Sequence, residues 1–228
     1  MRRFGLSGNQ LKILALIAMT CDHVGKQLLP QYPILQIIGR VAFPIFAYLI
    51  AEGCMYTRNR KRYLGSMLLL AFACQVVYFV AMDSLYQCVL VSFSIAIGLI
   101  FLLDRAKKKA NAAAWLTVAL AMAAAVFVCE GLPVLWTTTD FAIDYGICGV
   151  LLPVGVYLGK NKGQKLVLAA AAVFLGCLVL GGIQWYALAS IVLLALYNGK
   201  RGKWKMKYLF YIYYPLHLGM IYLISIII

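Results

Sequence analysis

Apolar residues dominate this chain in long runs, and short polar clusters separate them. Nine runs are long enough to read as helices that cross or enter a bilayer: about 11–29, 34–55, 63–82, 88–103, 113–129, 141–158, 166–180, 185–197 and 208–228. A span of the hydrocarbon layer takes about 20 residues in a helix. A lone apolar segment in lipid must satisfy its own backbone hydrogen bonds, so helix is the element predicted for each. The eighth run is short for a full crossing. An eight-helix arrangement, with one broken or re-entrant late element, is the alternative.

Lys and Arg occupy every second polar cluster. Arg2 and Arg3 precede the first run. Arg58, Arg60, Lys61 and Arg62 follow the second, and Arg105, Lys107, Lys108 and Lys109 follow the fourth. Lys160, Lys162 and Lys165 follow the sixth, and Lys200, Arg201, Lys203, Lys205 and Lys207 follow the eighth. The alternate clusters hold Asp83, Glu130 and Asp140, with Lys26 inside the end of the first run. Cytosolic loops are enriched in cations, so the pattern predicts an odd number of crossings with a cytosolic N-terminus.

Composition agrees. Of 228 residues, 64% are hydrophobic, and the mean hydropathy is +0.90. That excludes an ordinary soluble domain. The whole chain reads as one all-α, polytopic transmembrane bundle, residues 1–228, with no internal repeat. The net charge of +14 does not imply a nucleic-acid partner, because its cations lie in short loops rather than on one continuous face. The seven cysteines lack C-x-x-C spacing, so no metal is expected, and small helix-packing residues are the reading. The first run holds Asp22 and His23 and lacks an A-x-A site, which makes it a retained helix rather than a cleaved signal.

Charge inside the runs singles out the candidate chemistry. Asp22 and His23 lie in the first run, Arg40 in the second and His217 in the last. A charge at mid-membrane costs roughly 2.5–3.5 kcal/mol on insertion scales. At 1.5 Å per residue, Asp22, His23 and His217 lie roughly 15–20 Å from the cytosolic side, and Arg40 about 10 Å below the outer one. The four share one layer. Asp22 faces either Lys26 one turn on or Arg40 across the helix gap, and that pair is either structural or functional. Histidine exchanges protons near neutral pH, and the chain has only two.

Pro44, Pro153 and Pro215 each remove a backbone donor, so bends around an internal space are expected in the second, sixth and last runs. Asp144, Tyr145 and Gln184 are expected at the membrane interface, and Tyr208 and Tyr211 in an aromatic belt that Tyr213 and Tyr214 are too deep to join. The turn Asn198-Gly199-Lys200-Arg201-Gly202 reads as a helix stop or as a phosphate-binding patch. H-E-x-x-H, G-x-S-x-G and Walker motifs are absent from the sequence, which disfavours an intramembrane zinc protease, a serine hydrolase and an ATP-driven pump.

Several strings together resemble the TraX family: Asp22-His23-Val24-Gly25, Ile38-Gly39-Arg40-Val41-Ala42-Phe43-Pro44, Glu52-Gly53, Thr57-Arg58-Asn59-Arg60, Asp144-Tyr145-Gly146, the Tyr197–Gly202 turn, and Tyr213-Tyr214-Pro215-Leu216-His217. The resemblance implies a multi-pass protein of the bacterial inner membrane, akin to membrane acyltransferases. It implies acetyl-CoA as co-substrate and an exported acceptor, either a peptide amine such as that of pilin or an envelope glycan. On that reading Asp22, His23, Arg40 and His217 are catalytic. Glu52, Arg58, Arg60, Tyr213, Asn198, Lys200 and Arg201 would then hold the acyl-CoA donor. A small transporter with a buried proton relay and a non-catalytic assembly factor are the rival functions.

Overall fold

The computed structural model describes residues 5–203 and 207–227. Arg2, Arg3 and Lys205, and the side chains of Lys207, Tyr208 and Tyr211, lie outside the described residues. All regular structure described is helical, and the stretches follow the nine predicted runs. They are α1 (Gly8–Gln27), α2 (Pro33–Gly39) with α3 (Ala42–Tyr56), α4 (Arg60–Met82), α5 (Val89–Lys109), α6 (Ala112–Val126), α8 (Gly146–Leu158), α9 (Lys162–Leu180), a 3-10 turn (Gly182–Leu188) with α10 (Ala189–Ala195), and α11 (Lys207–Ile227). A π-turn (Phe127–Gly131) and the short α7 (Leu132–Leu135) prolong α6. Among the described residues five stretches are long and apolar enough to cross a membrane: Pro33–Tyr56, Arg60–Met82, Val89–Lys109, Ala112–Leu135 and Lys162–Leu180. The protein is a polytopic membrane protein.

Burial sorts these rods. About half of the α2–α3 and α5 spans is covered by protein, against 22% of α4 and of α9 and 11% of α6. The first two are therefore central, and the others turn side chains such as Leu69, Phe72 and Leu120 outward, where lipid is the matching solvent. In α1 the buried positions Leu11, Ala15, Ala18, Asp22 and Gly25 recur at alternating steps of four and three. That is one helix face, and it carries Asp22 into the interior along with its apolar neighbours.

Helix ends are fixed by short polar side chains. Ser7 and Gln10 form a reciprocal capping box on α1. Asn59, Asn111 and Asn161 accept backbone N–H groups at the starts of α4, α6 and α9. Such caps are each worth about 1 kcal/mol.

Three elements depart from the expected runs. The second run is broken at Arg40-Val41 into α2 and α3 instead of bending as one helix. The sixth begins at Gly146, five residues late, because Tyr145 just before it takes a left-handed backbone conformation that breaks the helix on its N-terminal side. The eighth, Gly182–Ala195, is too short to be a full span, and half of it winds as a 3-10 turn rather than an α-helix. Pro153 and Pro215 lie inside α8 and α11, whose backbones stay helical through them.

The two ends of the bundle differ in chemistry. The start of α1 lies against the 196–201 segment, through Leu6 N–H to Leu196 O at 2.8 Å and Gly8 N–H to Lys200 O at 2.7 Å. Arg60 at the start of α4 pairs with Asp104 near the end of α5. This basic end carries the cation clusters. At the opposite end Gln27 reaches Met82, and Gln87 exchanges backbone hydrogen bonds with Ala142 and Asp144 at 2.8 and 2.9 Å. Asp83, Glu130, Asp140 and Asp144 lie at this acidic end.

Candidate functional site

The site grows from the closeness of α1 and α2. Gly25 and Gly39 are the contact points. A Cβ on Gly39 would lie 2.3 Å from the Asp22 Cβ, and one on Gly25 would lie 2.8 Å from the Leu35 Cβ. Small residues let helix backbones approach in this way. The helix break directly after Gly39 then presents Arg40 to α1.

Asp22 receives a cation on each carboxylate oxygen. Arg40 Nη2 bonds Oδ1, and Lys26 Nζ lies 2.8 Å from Oδ2. Arg40 is itself buried. Its Nε donates to Gln36 O at 3.2 Å and its Nη1 to Gln184 Oε1 at 3.3 Å. A buried charge needs this degree of satisfaction, because desolvation otherwise exceeds the attraction.

His23, next in the chain, points to α11 instead. Its Nδ1 lies 2.8 Å from His217 Nε2. His217 Nδ1 lies 3.0 Å from the carbonyl of Tyr213. The Tyr213 hydroxyl meets Thr20 Oγ1 at 2.6 Å. The four ionisable residues singled out by sequence thus come together on α1, the α2–α3 break and α11.

Beside them lies a cavity of about 260 Å³. Asp22, His23 and Lys26 form one wall, with Gly39, Ala42, Phe43 and Phe46 beyond. Tyr78, Tyr86, Asp144, Tyr145 and Tyr214 form the other side. Gly39, Ala42, Phe43 and Phe46 come from α2 and α3 and Tyr214 from α11, while the others come from the C-terminal part of α1, the end of α4 and the 83–88 and 136–145 loops, so the cavity lies toward the acidic end. Gly8 to Asp22 is 14 residues, about 21 Å along the helix, so most of the bundle's depth separates it from the basic loops.

Asp144, Tyr145 and Gln184 are not plain interface residues. Asp144 accepts from the Tyr86 hydroxyl at 2.7 Å, and its carbonyl accepts from Ser92 at 2.7 Å. Tyr145 stacks on Phe43 with ring centroids 3.8 Å apart. It holds φ +62°, a strained position for a bulky residue. Such outliers gather at functional sites. Run-level hydropathy misses these residues because each stands at a segment end, where polar side chains are ordinary. The one sequence signal is that they fall in the cation-poor loops.

The remaining candidates lie elsewhere. Glu52 is buried and paired with Lys165 at 2.5 Å, and Arg60 pairs with Asp104, which also accepts from the Tyr157 hydroxyl at 2.7 Å. Both clusters tie helix ends together at the basic end. Arg58, Lys200 and Arg201 are exposed there. Asn198 Nδ2 donates to Gly5 O at 3.0 Å and its Oδ1 accepts from Lys200 N–H at 2.9 Å, so it shapes the turn. Outside the spans, Asp140 is held below the ordinary carboxylate pKa, first by a hydrogen bond from the Ser84 hydroxyl and then by the Leu85 N–H.

The fold and site together define a class: an all-helical membrane protein with a protected, ionisable cavity near one end. The TraX protein family model matches residues 7–225, and the chain belongs to that family. It is 28% identical over 251 residues, covering 96% of either chain, to a Dichelobacter nodosus protein named "Probable fimbrial assembly protein FimC, serogroup H1". A 38-residue stretch, 17% of this chain, is 55% identical to part of an uncharacterized protein of Rickettsia prowazekii, strain Madrid E. No solved structure matches the chain significantly.

Proposed function

We propose that this protein is an acyltransferase of the bacterial inner membrane, moving an acetyl group from cytosolic acetyl-CoA to an exported acceptor. The observation that carries the reading is the meeting of both histidines, from opposite ends of the sequence, at 2.8 Å beside a cavity walled by Asp22, Lys26 and Asp144. Acyl transfer needs a base for the acceptor's proton and a positive or N–H-rich surface for the oxyanion. The histidine pair provides the first, and Lys26, which lines the cavity, provides positive charge for the second.

The two ends suit the two substrates. Exposed cations at the basic end, Arg58, Lys200 and Arg201 among them, match the phosphates of the donor. With the N-terminus cytosolic, as the alternation of cations implies, the acidic-end cavity faces the acceptor's side. The acceptor is a peptide amine or an envelope glycan, and the Dichelobacter relative's name favours a pilus-type peptide.

Purified protein supplied with acetyl-CoA and a pilin-type peptide tests this. His23→Ala should reduce acetyl transfer at least about 10²-fold, the usual contribution of a general base. Full turnover in both His23→Ala and His217→Ala would overturn it. The same relative supports a second reading, a non-catalytic assembly factor. That reading requires no acyl transfer in the wild type and unchanged pilus assembly when both histidines are replaced.

A further inference from the structure

The hydrogen bonds around the two histidines assign each a different role. The His23 and His217 planes are 12° apart and their centroids 5.0 Å apart. With 2.8 Å between the nitrogens, the centroid separation is the bond plus about one ring radius at each end. The rings therefore meet edge to edge in a common plane, where an N–H and a lone pair lie.

The direction of that bond follows from its far end. His217 Nδ1 contacts the Tyr213 carbonyl, and a carbonyl only accepts, so Nδ1 bears the proton. Among the described residues no carboxylate lies within ion-pair distance of either ring, so nothing balances a charge on the pair and both rings are neutral. A neutral imidazole has one N–H. His217 Nε2 then offers a lone pair, and His23 Nδ1 must donate to it. That leaves the lone pair of His23 on Nε2, and His23 is the member of the pair that lines the cavity.

His217 is held firmly. The Tyr213 ring lies parallel to it, with centroids 5.2 Å apart. Thr20 spends its own proton on Leu16 O at 2.9 Å, so the Tyr213 hydroxyl donates to Thr20. Tyr214 stands perpendicular to both imidazoles.

We infer that His217 is a positioning residue that keeps His23 in its Nδ1–H form, so that His23 Nε2 is the atom that takes the acceptor's proton. The inference rests on the acyl-transfer reading. As the acceptor's nitrogen or oxygen bonds to the acyl carbon, its proton passes to His23 Nε2. The carbon–sulfur bond breaks with its electron pair on sulfur, and His23 returns the proton to that sulfur, giving the free thiol. Throughout, the His23 Nδ1–H bond to His217 stays in place and steadies the charged ring.

Nitrogen-15 NMR of histidine-labelled full-length protein tests this, since two histidines yield only four ring signals. In the wild type both rings should be Nδ1–H. His217→Gln should preserve that form of His23, because its amide oxygen accepts from His23 while its NH₂ donates to Tyr213. His217→Leu should release His23 to the Nε2–H form that free imidazoles favour. Acetyl transfer should fall less than about 10-fold in His217→Gln and about 10²–10⁴-fold in His217→Leu, the range for loss of a general base. The change should be in kcat with KM unmoved. An Nε2–H form of His23 in active wild type, or equal loss in both variants, overturns the inference alone. Wild type with the expected forms and no acyl transfer overturns the acyl-transfer reading and the catalytic role with it.

Discussion

Gly39→Ala is the smallest change that should pull this site apart. The added methyl would lie 2.3 Å from the Asp22 Cβ and 2.9 Å from its Cα, where ordinary contact begins near 3.4 Å. The gap is 3.4 − 2.3 = 1.1 Å, and Asp22 cannot yield by rotating its side chain, because the clash is with its own Cβ and backbone. The α1 and α2 backbones must therefore separate by about an ångström. Overpacking of this kind costs about 1–3 kcal/mol. The same shift lengthens the buried Arg40–Asp22 contact, and a misplacement of about 1 Å at a site costs on the order of 10²-fold in rate. Gly98→Ala and Gly155→Ala are matched controls. Both glycines lie inside helices, and nothing comes within 4 Å of their added Cβ, so they should gain about 0.5–1 kcal/mol from helix propensity alone. Thermal unfolding of the three variants in detergent, with acetyl transfer measured alongside, gives the comparison. A Gly39→Ala protein as stable and active as the two controls would refute the claim that α1–α2 contact sets the site.

Other outcomes follow from the charge pairs. Arg40→Met should destabilise by about 1–3 kcal/mol, the cost of a buried acceptor left unsatisfied, because Asp22 Oδ1 loses its partner while Lys26 keeps Oδ2; denaturant or thermal midpoints read it. Replacing Glu52 and Lys165 together, Glu52→Gln with Lys165→Met, should cost less than the sum of the single changes, since each single change strands the other buried group; a double-mutant cycle in unfolding free energy measures the coupling. Asp140, with a folded pKa below its unfolded one, stabilises above the unfolded value of about 3.9. That contribution is lost as pH falls through the folded value. Asp140→Asn should therefore lower the unfolding midpoint slightly at pH 7, and the difference from wild type should vanish as the pH is taken down through the folded value, as a series of thermal melts at falling pH would register.

The class of fold was legible from hydropathy and charge order alone. Apolar runs in lipid have one backbone solution, so their number and approximate ends follow from composition. The buried charges were legible too, because a cost of several kcal/mol against burial makes Asp22, His23, Arg40 and His217 conspicuous wherever they lie. Partner choice was legible only in part: Lys26 and Arg40 stood out as alternatives for Asp22, whereas the sequence places the two histidines at one depth without showing that they touch. Asp22 takes Arg40 and Lys26 together, and His23 takes His217, because Gly25 and Gly39 allow α1 and α2 to touch while α11 docks on α1's other flank. Nor does sequence order reveal that Asp144, Tyr145 and Gln184 reach the same region. They stand at segment ends, where a polar residue needs no explanation; the left-handed turn at Tyr145 and the packing of α8 on α3 bring Asp144 and Tyr145 inward, and the packing of the Gly182–Leu188 turn on α2 does so for Gln184. Local chemistry settles which residues must be sheltered from lipid; the distances that turn them into a site depend on how closely separate helices approach, and that is a property of the assembled bundle.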